Sequence, residues 1–247
     1  MKRSNARGEA LPFPFPLSAA EIQERRRSIL VRLMDADPGF ASLPVRSVRA
    51  STLLLMRDEV DRLFLCGFLR KTYGALPVSL SPRMTRAAGK FVYSRKMNDY
   101  NSCEIRLSSD FLFRLSEGAF QLNGLSAHSP QEAFLIVFEH EVIHAAEYAL
   151  YGATGHSKRF LALAGGLFGH TKAYHALPTR ADEAAGSGLV PGRGVVFHYE
   201  GRTMSGVVAR VGKTVTVMVP DRRGDYRDAA GRRYRKFRVS PGLLQLT

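Results

Sequence analysis

Cysteine is scarce in this chain, and long apolar runs are missing. The two cysteines, Cys66 and Cys103, form no C-x-x-C pair, which excludes a disulfide framework and a four-cysteine structural zinc site. We expect both to be small buried residues. No apolar run approaches a membrane span, and prolines interrupt residues 11–16 where a signal peptide would need an apolar core. These absences predict a soluble, cytoplasmic protein with no membrane partner.

Acidic residues are scarce towards the C-terminus. Residues 191–247 contain twelve Lys/Arg and four Asp/Glu, a net charge of +8 within a total of +14. Residues 50–190 carry only +2. A basic segment beside a nearly neutral one is typical of a protein that binds a polyanion through the basic part.

An H-E-x-x-H motif lies at residues 140–144. The surrounding sequence predicts a helix independently of the motif. Ser129 can cap this helix, Pro130 fits its first position, and Glu132 completes a capping box. No proline or glycine then occurs until Gly152, which predicts the helix end. The motif is therefore expected on a rigid, well-anchored helix.

The spacing within this motif suits metal chemistry. Residues four apart share one face of a helix, so His140 and His144 can bind the same zinc ion. Glu141 can then take a proton from a zinc-bound water. Together these residues indicate metal-assisted hydrolysis of a peptide bond.

A catalytic zinc site usually needs a third protein ligand. His156 is the preferred candidate, because Gly152 and Gly155 let the chain turn back before a second predicted helix, residues 157–168. His170 lies in a similar turn one helix further on. Glu147, one turn beyond His144, would offer a carboxylate. Both stay open as alternatives.

The HEVIH stretch and the Gly155-His156-Ser157-Lys158-Arg159-Phe160 stretch together resemble the SprT-like (Spartan-type) zinc metallopeptidases. Upstream, residues 56–69 are similar to the first helix of that family. Residues 88–91 and 104–108 are similar to its hairpin and the strand that follows. The resemblance covers about residues 51–175. Many members continue into a four-cysteine zinc ribbon, which this chain lacks.

The resemblance implies a site, a cofactor and a substrate class. It implies His140, His144 and His156 as ligands of one Zn²⁺ per chain, and Glu141 as the general base on a zinc-bound water. It implies an endopeptidase that acts on proteins bound or crosslinked to DNA. By analogy with zinc peptidases, residues 102–107 are the candidate edge strand beside the metal.

The expected fold class is α+β, with a zincin-like domain followed by a small all-β domain. Residues 1–17 are predicted to be disordered, and the metallopeptidase domain to span residues 18–180 with its core at 51–175. Its expected elements are an amphipathic helix at 17–35, one long helix at 51–73, a small antiparallel sheet within 77–108, and the two site helices. The Arg25, Arg26 and Arg27 run of the first helix is either a solvated face, the preferred interpretation, or a nucleic-acid contact.

Residues 181–193 read as a linker, and residues 194–247 as a basic SH3-like or KOW-like barrel. Period-two alternation predicts its strands at 195–199, 206–210, 214–219 and 235–239. An Arg-rich loop, residues 221–235, carries candidate nucleic-acid contacts. These are Arg222, Arg223, Arg227, Arg232 and Arg233, interleaved with Tyr226 and Tyr234. The alternative is a solubilising loop on a barrel that binds protein.

The leading hypothesis is a zinc-dependent endopeptidase with a protein substrate and a nucleic-acid partner. The rival is a nucleic-acid-binding or scaffold protein whose zinc site is structural or vestigial.

Overall fold

The computed structural model describes residues 10–94, 99–115, 120–174, 188–212 and 214–247. The chain divides into two compact units, Met1–Leu177 and Pro178–Thr247. The predicted domain boundary at residue 180 and most of the predicted linker lie outside the described residues. No helix within them combines the length and apolar character that crossing a membrane requires.

The first unit is a mixture of helices and short strands. Its described helices are α1 (Ala19–Ala36), α2 (Pro38–Ala41), α3 (Ala50–Phe64), α4 (Phe68–Tyr73), α5 (Ser109–Leu112), α6 (Pro130–Tyr151) and α7 (Lys158–Phe168), with a 3-10 turn at Tyr100–Ser102. Its described strands are β1 (Val78–Ser81), β2 (Gly89–Val92), β3 (Glu104–Ser108), β4 (Phe120–Leu122) and β5 (Leu125–Ala127).

The N-terminal segment is packed against the core from Leu11 onwards, while residues 1–9 lie outside the described part. Phe13 and Leu17 are buried in the core, and the Leu17 N–H donates to the Gly166 carbonyl at 2.8 Å. The prediction of disorder over residues 1–17 is therefore wrong for residues 11–17. Burial of apolar side chains there outweighs the interruption by prolines, which restrict only the backbone.

Helix α1 confirms the predicted amphipathic helix, with a correction to its arginines. Ser18 and Glu21 form a capping box at its start. Arg26 is buried, only 3% exposed, and Arg25 donates to the Leu63 carbonyl at 2.8 Å. Of the three arginines, only Arg27 lies on a solvated face, paired with Glu24. The burial of Arg26 is possible because a buried carboxylate pairs with its guanidinium group.

The predicted long helix over residues 51–73 is wrong in one respect, because it is broken between α3 and α4. Cys66 and Gly67 adopt positive φ angles of 52° and 78°. The Asp61 carboxylate, itself buried, accepts the Leu69 N–H at 2.8 Å and so satisfies the start of α4. The break exposes Cys66, against expectation, whereas Cys103 is buried as predicted.

The three-stranded sheet has the order β1-β3-β2. β2 runs antiparallel to β3, but β1 runs parallel to it, with Val78 opposite Ile105. The sheet is therefore mixed rather than antiparallel. β3 is its central strand, so the prediction of residues 102–107 as an edge is wrong. Periodicity locates strands but does not fix which strands become neighbours. The edge strand that packs against α6 is β2.

Helix α6 runs through the core and has the predicted bounds. The Ser129 hydroxyl accepts the Glu132 N–H at 3.1 Å, and Gly152 ends the helix with a φ of 70°. The Glu132 carboxylate accepts the N–H of His128, one residue before the cap, so the reciprocal half of the capping box is displaced. Phe138 and Val142 are fully buried, which anchors the middle of the helix.

The second unit is a six-stranded sheet in the order β11-β6-β7-β8-β10-β9. Its strands are β6 (Gly194–Tyr199), β7 (Arg202–Arg210), β8 (Val215–Pro220), β9 (Tyr226–Arg227), β10 (Arg233–Val239) and β11 (Gln245–Leu246). They include the predicted strands. Leu189 packs into its core, so the described end of the predicted linker belongs to this unit. Within the described residues no ladder joins β11 to β9, and a closed barrel is not observed.

Candidate metal centre

Three histidines converge at the middle of the first unit. His140 and His144 lie one turn apart on α6, and His156 lies just before Ser157, which caps α7. Their Nε2 atoms form a triangle with sides of 3.1 Å (His140 to His156), 3.2 Å (His140 to His144) and 3.2 Å (His144 to His156). The structure therefore brings together the three residues that the sequence singled out.

This triangle fits a zinc ion. Zinc–nitrogen bonds of about 2.0–2.1 Å at tetrahedral angles place neighbouring ligand nitrogens about 3.3 Å apart. The observed sides are close to that value. Burial, followed by the nearby His156, lowers the pKa of His144 to about 4, so its ring is neutral, as a ligand must be.

Phe160 supports all three imidazoles. Its ring centroid lies 4.9 Å from that of His140, 4.5 Å from that of His144 and 5.1 Å from that of His156. Phe160 is fully buried on α7. An aromatic floor of this kind restricts the rotamers of the rings above it and keeps the donor atoms together.

Glu141 is buried between α6 and the edge strand β2. The backbone N–H of Phe91 donates to its carboxylate. Gly89 lies against the same group, and a Cβ atom at that position would be 2.6 Å from Glu141 Oε1. Burial raises the pKa of Glu141 to about 8, and the hydrogen bond from Phe91 opposes that rise.

The two alternative third ligands have other partners. His170 is buried and its Nε2 atom contacts the Glu139 carboxylate at 3.0 Å. Glu139 also pairs with Arg26, at 2.6 Å. Glu147 accepts hydrogen bonds from the segment that carries His156, including one from Thr154 at 2.9 Å. Neither belongs to the histidine triangle.

Several residues around the site were not identified from the sequence. Gly89 and Thr154 lie near the site only in the folded structure, and no regular sequence spacing relates them to the H-E-x-x-H motif. The positive charge of Arg26 suggested a solvent-exposed side chain rather than a buried one. The single available signal was Glu147, whose position one turn beyond His144 placed it near the site but in a different role.

The predicted basic loop is partly β-structure. Tyr226 and Tyr234 pair across β9 and β10, with Arg227 opposite Arg233. Tyr226 is 43% exposed, and the Lys236 Nζ atom lies 3.6 Å from its ring centroid. The Tyr234 hydroxyl is engaged with Asp228.

The arginines of this segment differ in their engagement. Arg232 pairs with Asp228 at 2.8 Å. Arg222 and Arg223 are exposed in the turn before β9. The predicted set thus lies on one unit, but Tyr234 and Arg232 are already bound to an acidic side chain.

Comparison with known proteins identifies the family. The model of the SprT-like family matches residues 56–182, just over half of the chain. A search of curated proteins finds no match. The matched segment contains all three histidines, Glu141 and the strand β2 beside it. The chain therefore belongs to the SprT-like family.

Proposed function

We propose that the protein is a zinc-dependent endopeptidase. The observation that carries this proposal is the triangle of histidine Nε2 atoms, with sides of 3.1–3.2 Å, on the helix that also carries Glu141. Zinc held there would act as a Lewis acid on the scissile carbonyl and make a water more acidic.

Glu141 is proposed as the general base and then the general acid. Burial raises its pKa to about 8, and the hydrogen bond from the Phe91 N–H opposes that rise, so the group can both accept and return a proton near neutral pH. It takes a proton from the attacking water and passes it to the leaving amine. The N–H of Phe91 holds the carboxyl in place, and the absence of a side chain at Gly89 leaves room for it.

The edge strand β2 offers a surface for the substrate. It pairs with β3 on one side and packs against α6, which carries the motif. An extended peptide can add to the edge of a sheet through main-chain hydrogen bonds. This contact requires an unfolded stretch of substrate, which suits an endopeptidase.

Substitution of Glu141 tests the catalytic proposal. The Glu141→Gln variant keeps the volume and the three histidines, so we expect zinc binding to persist and cleavage of an unfolded protein substrate to be abolished. Glu24→Gln, on the exposed face of α1, is the control and should cleave normally. Undiminished cleavage by Glu141→Gln would refute the mechanism, whereas a wild type that does not cleave would favour a vestigial site in a nucleic-acid-binding or scaffold protein.

We further propose that the C-terminal unit is an SH3-like barrel that binds nucleic acid, so that the substrates are proteins bound or crosslinked to DNA. Its net charge of +8 and the exposed Arg222 and Arg223 support this. The exposed ring of Tyr226 can stack on a base. DNA binding that is weak and insensitive to salt would argue instead for a protein-binding unit.

A further inference from the structure

Glu147 is a buried carboxylate one turn beyond His144, and it does not belong to the histidine triangle that would bind the metal. Its side chain is 1% exposed. Oε2 accepts the Thr154 hydroxyl at 2.9 Å and the Gly155 N–H at 3.0 Å, while Oε1 accepts the Ser157 hydroxyl at 3.2 Å. All three donors lie in the segment that carries His156.

The same segment also contacts α6 through Thr154. Its Oγ1 atom lies 2.8 Å from Nδ1 of His144. A threonine hydroxyl has one proton, and here that proton is donated to Glu147. Oγ1 is therefore left to accept, so Nδ1 of His144 carries the ring proton and Nε2 carries the lone pair.

This tautomer is the one that the histidine triangle needs. The Nε2 atom of His144 lies 3.2 Å from the Nε2 atoms of both His140 and His156. A lone pair on that atom can bind a metal, whereas a proton there cannot. Outer hydrogen bonds of this type fix ring orientation and ligand basicity in metal sites.

We propose that Glu147 and Thr154 are positioning residues of the metal centre. Glu147 orients the Thr154 hydroxyl, Thr154 selects the tautomer of His144, and the bonds from Gly155 and Ser157 to Glu147 hold the segment that presents His156. The inference rests on the proposed zinc site, but the tautomer itself is a property of the metal-free chain.

Thr154→Val is the central variant, because it keeps the shape of the side chain and removes the hydroxyl. Thr154→Ser restores the hydroxyl. Thr72→Val is the matched control, since Thr72 is also half-buried and its hydroxyl donates to the Phe68 carbonyl at 2.8 Å, on a different helix. Glu147→Gln tests the carboxylate, because its amide group opposes one of the incoming donors with a donor of its own.

Two measurements are made on the full-length chain. Long-range ¹H–¹⁵N NMR of the metal-free protein, at neutral pH, reports which ring nitrogen of His144 carries the proton. Competition with a chelator reports the zinc dissociation constant. We expect a proton on Nδ1 in the wild type, Thr154→Ser and Thr72→Val. We expect loss of that preference in Thr154→Val, and zinc binding weakened by about 10- to 100-fold there and in Glu147→Gln.

The outcomes separate this inference from the proposed function. A proton on Nε2 of wild-type His144, or a Thr154→Val variant that binds zinc as tightly as Thr72→Val, would overturn the inference. A wild-type chain that binds no zinc would overturn the proposed function. The NMR result would then test separately whether Thr154 sets the tautomer of His144. Because Thr154→Val keeps the buried carboxylate, the test holds even if Glu147→Gln fails to fold.

Discussion

Replacing Gly89 by alanine should disable Glu141 without disturbing the histidines. A Cβ atom at position 89 would lie 2.6 Å from Oε1, 2.8 Å from Cγ and 3.0 Å from Cδ of Glu141. Ordinary van der Waals contacts begin at 3.4 Å, so the carboxyl must move by about 0.8 Å or β2 must shift. Either change alters the alignment of the general base with the edge strand.

The size of the effect follows from that displacement. A misplacement of about 1 Å at a reacting group costs on the order of 10²-fold in rate. We expect kcat/KM for a fluorescently labelled unfolded protein to fall by about that factor. The zinc dissociation constant should change by less than about 3-fold, because the ligands contact Phe160 and one another rather than Gly89.

Gly155→Ala is the control for the loss of a glycine near the site. A Cβ atom there would meet nothing within 4 Å, and the backbone N–H that donates to Glu147 is kept. Its activity should stay close to that of the wild type. Wild-type activity in Gly89→Ala would refute the reasoning, since it would mean that Glu141 tolerates displacement or takes no part in cleavage.

Three further predictions concern the core and the basic unit. Arg26→Met should lower the free energy of unfolding by about 3–5 kcal/mol in a urea titration, because it leaves the buried Glu139 carboxylate without its cation, and an unchanged midpoint would contradict the ion pair. Burial lowers the pKa of His170 below 6.5, and the hydrogen bond to Glu139 opposes that shift, so below pH 6.5 the unfolded chain binds more protons than the folded chain. The stability of the fold should therefore be full above pH 6.5 and fall below it. His170→Gln should flatten this pH dependence of the free energy of unfolding, measured from about pH 7.5 to 5. If the basic unit binds DNA, replacing Arg222 and Arg223 by Gln should lower the slope of log K against log salt by about 1 per lost contact, and an unchanged slope would place the contacts elsewhere.

The helix that carries the site was predictable because its signals are local. Ser129, Pro130 and Gly152 each act within one turn of the chain, and the spacing of His140 and His144 follows from helix geometry. The strands of the C-terminal unit were predictable for a similar reason, since alternation with period two reports which side chains are buried.

Features that depend on distant partners could not be predicted. The parallel pairing of β1 with β3 depends on the path of the residues between them. The burial of Arg26 requires Glu139, which is 113 residues away in sequence. The break before α4 depends on a positive φ at Cys66, which a non-glycine residue adopts only when its surroundings impose it.

The ligands of the histidine site could also be predicted only in part from the sequence. Three ligand candidates were open, and local sequence could not choose among them with certainty because each lies near a turn or on the motif helix. The structure distinguishes them by their partners: His156 joins the triangle, His170 contacts Glu139, and Glu147 holds the segment that carries His156.

The central claim is that three histidines hold one zinc ion. The most direct test is the zinc content of the purified full-length chain after reconstitution and removal of excess metal, compared between the wild type and His156→Ala. The account predicts one zinc per chain in the wild type and a strongly weakened or lost ion in the variant. A wild-type chain without zinc, or a His156→Ala variant that retains it with undiminished affinity, would contradict the proposed centre.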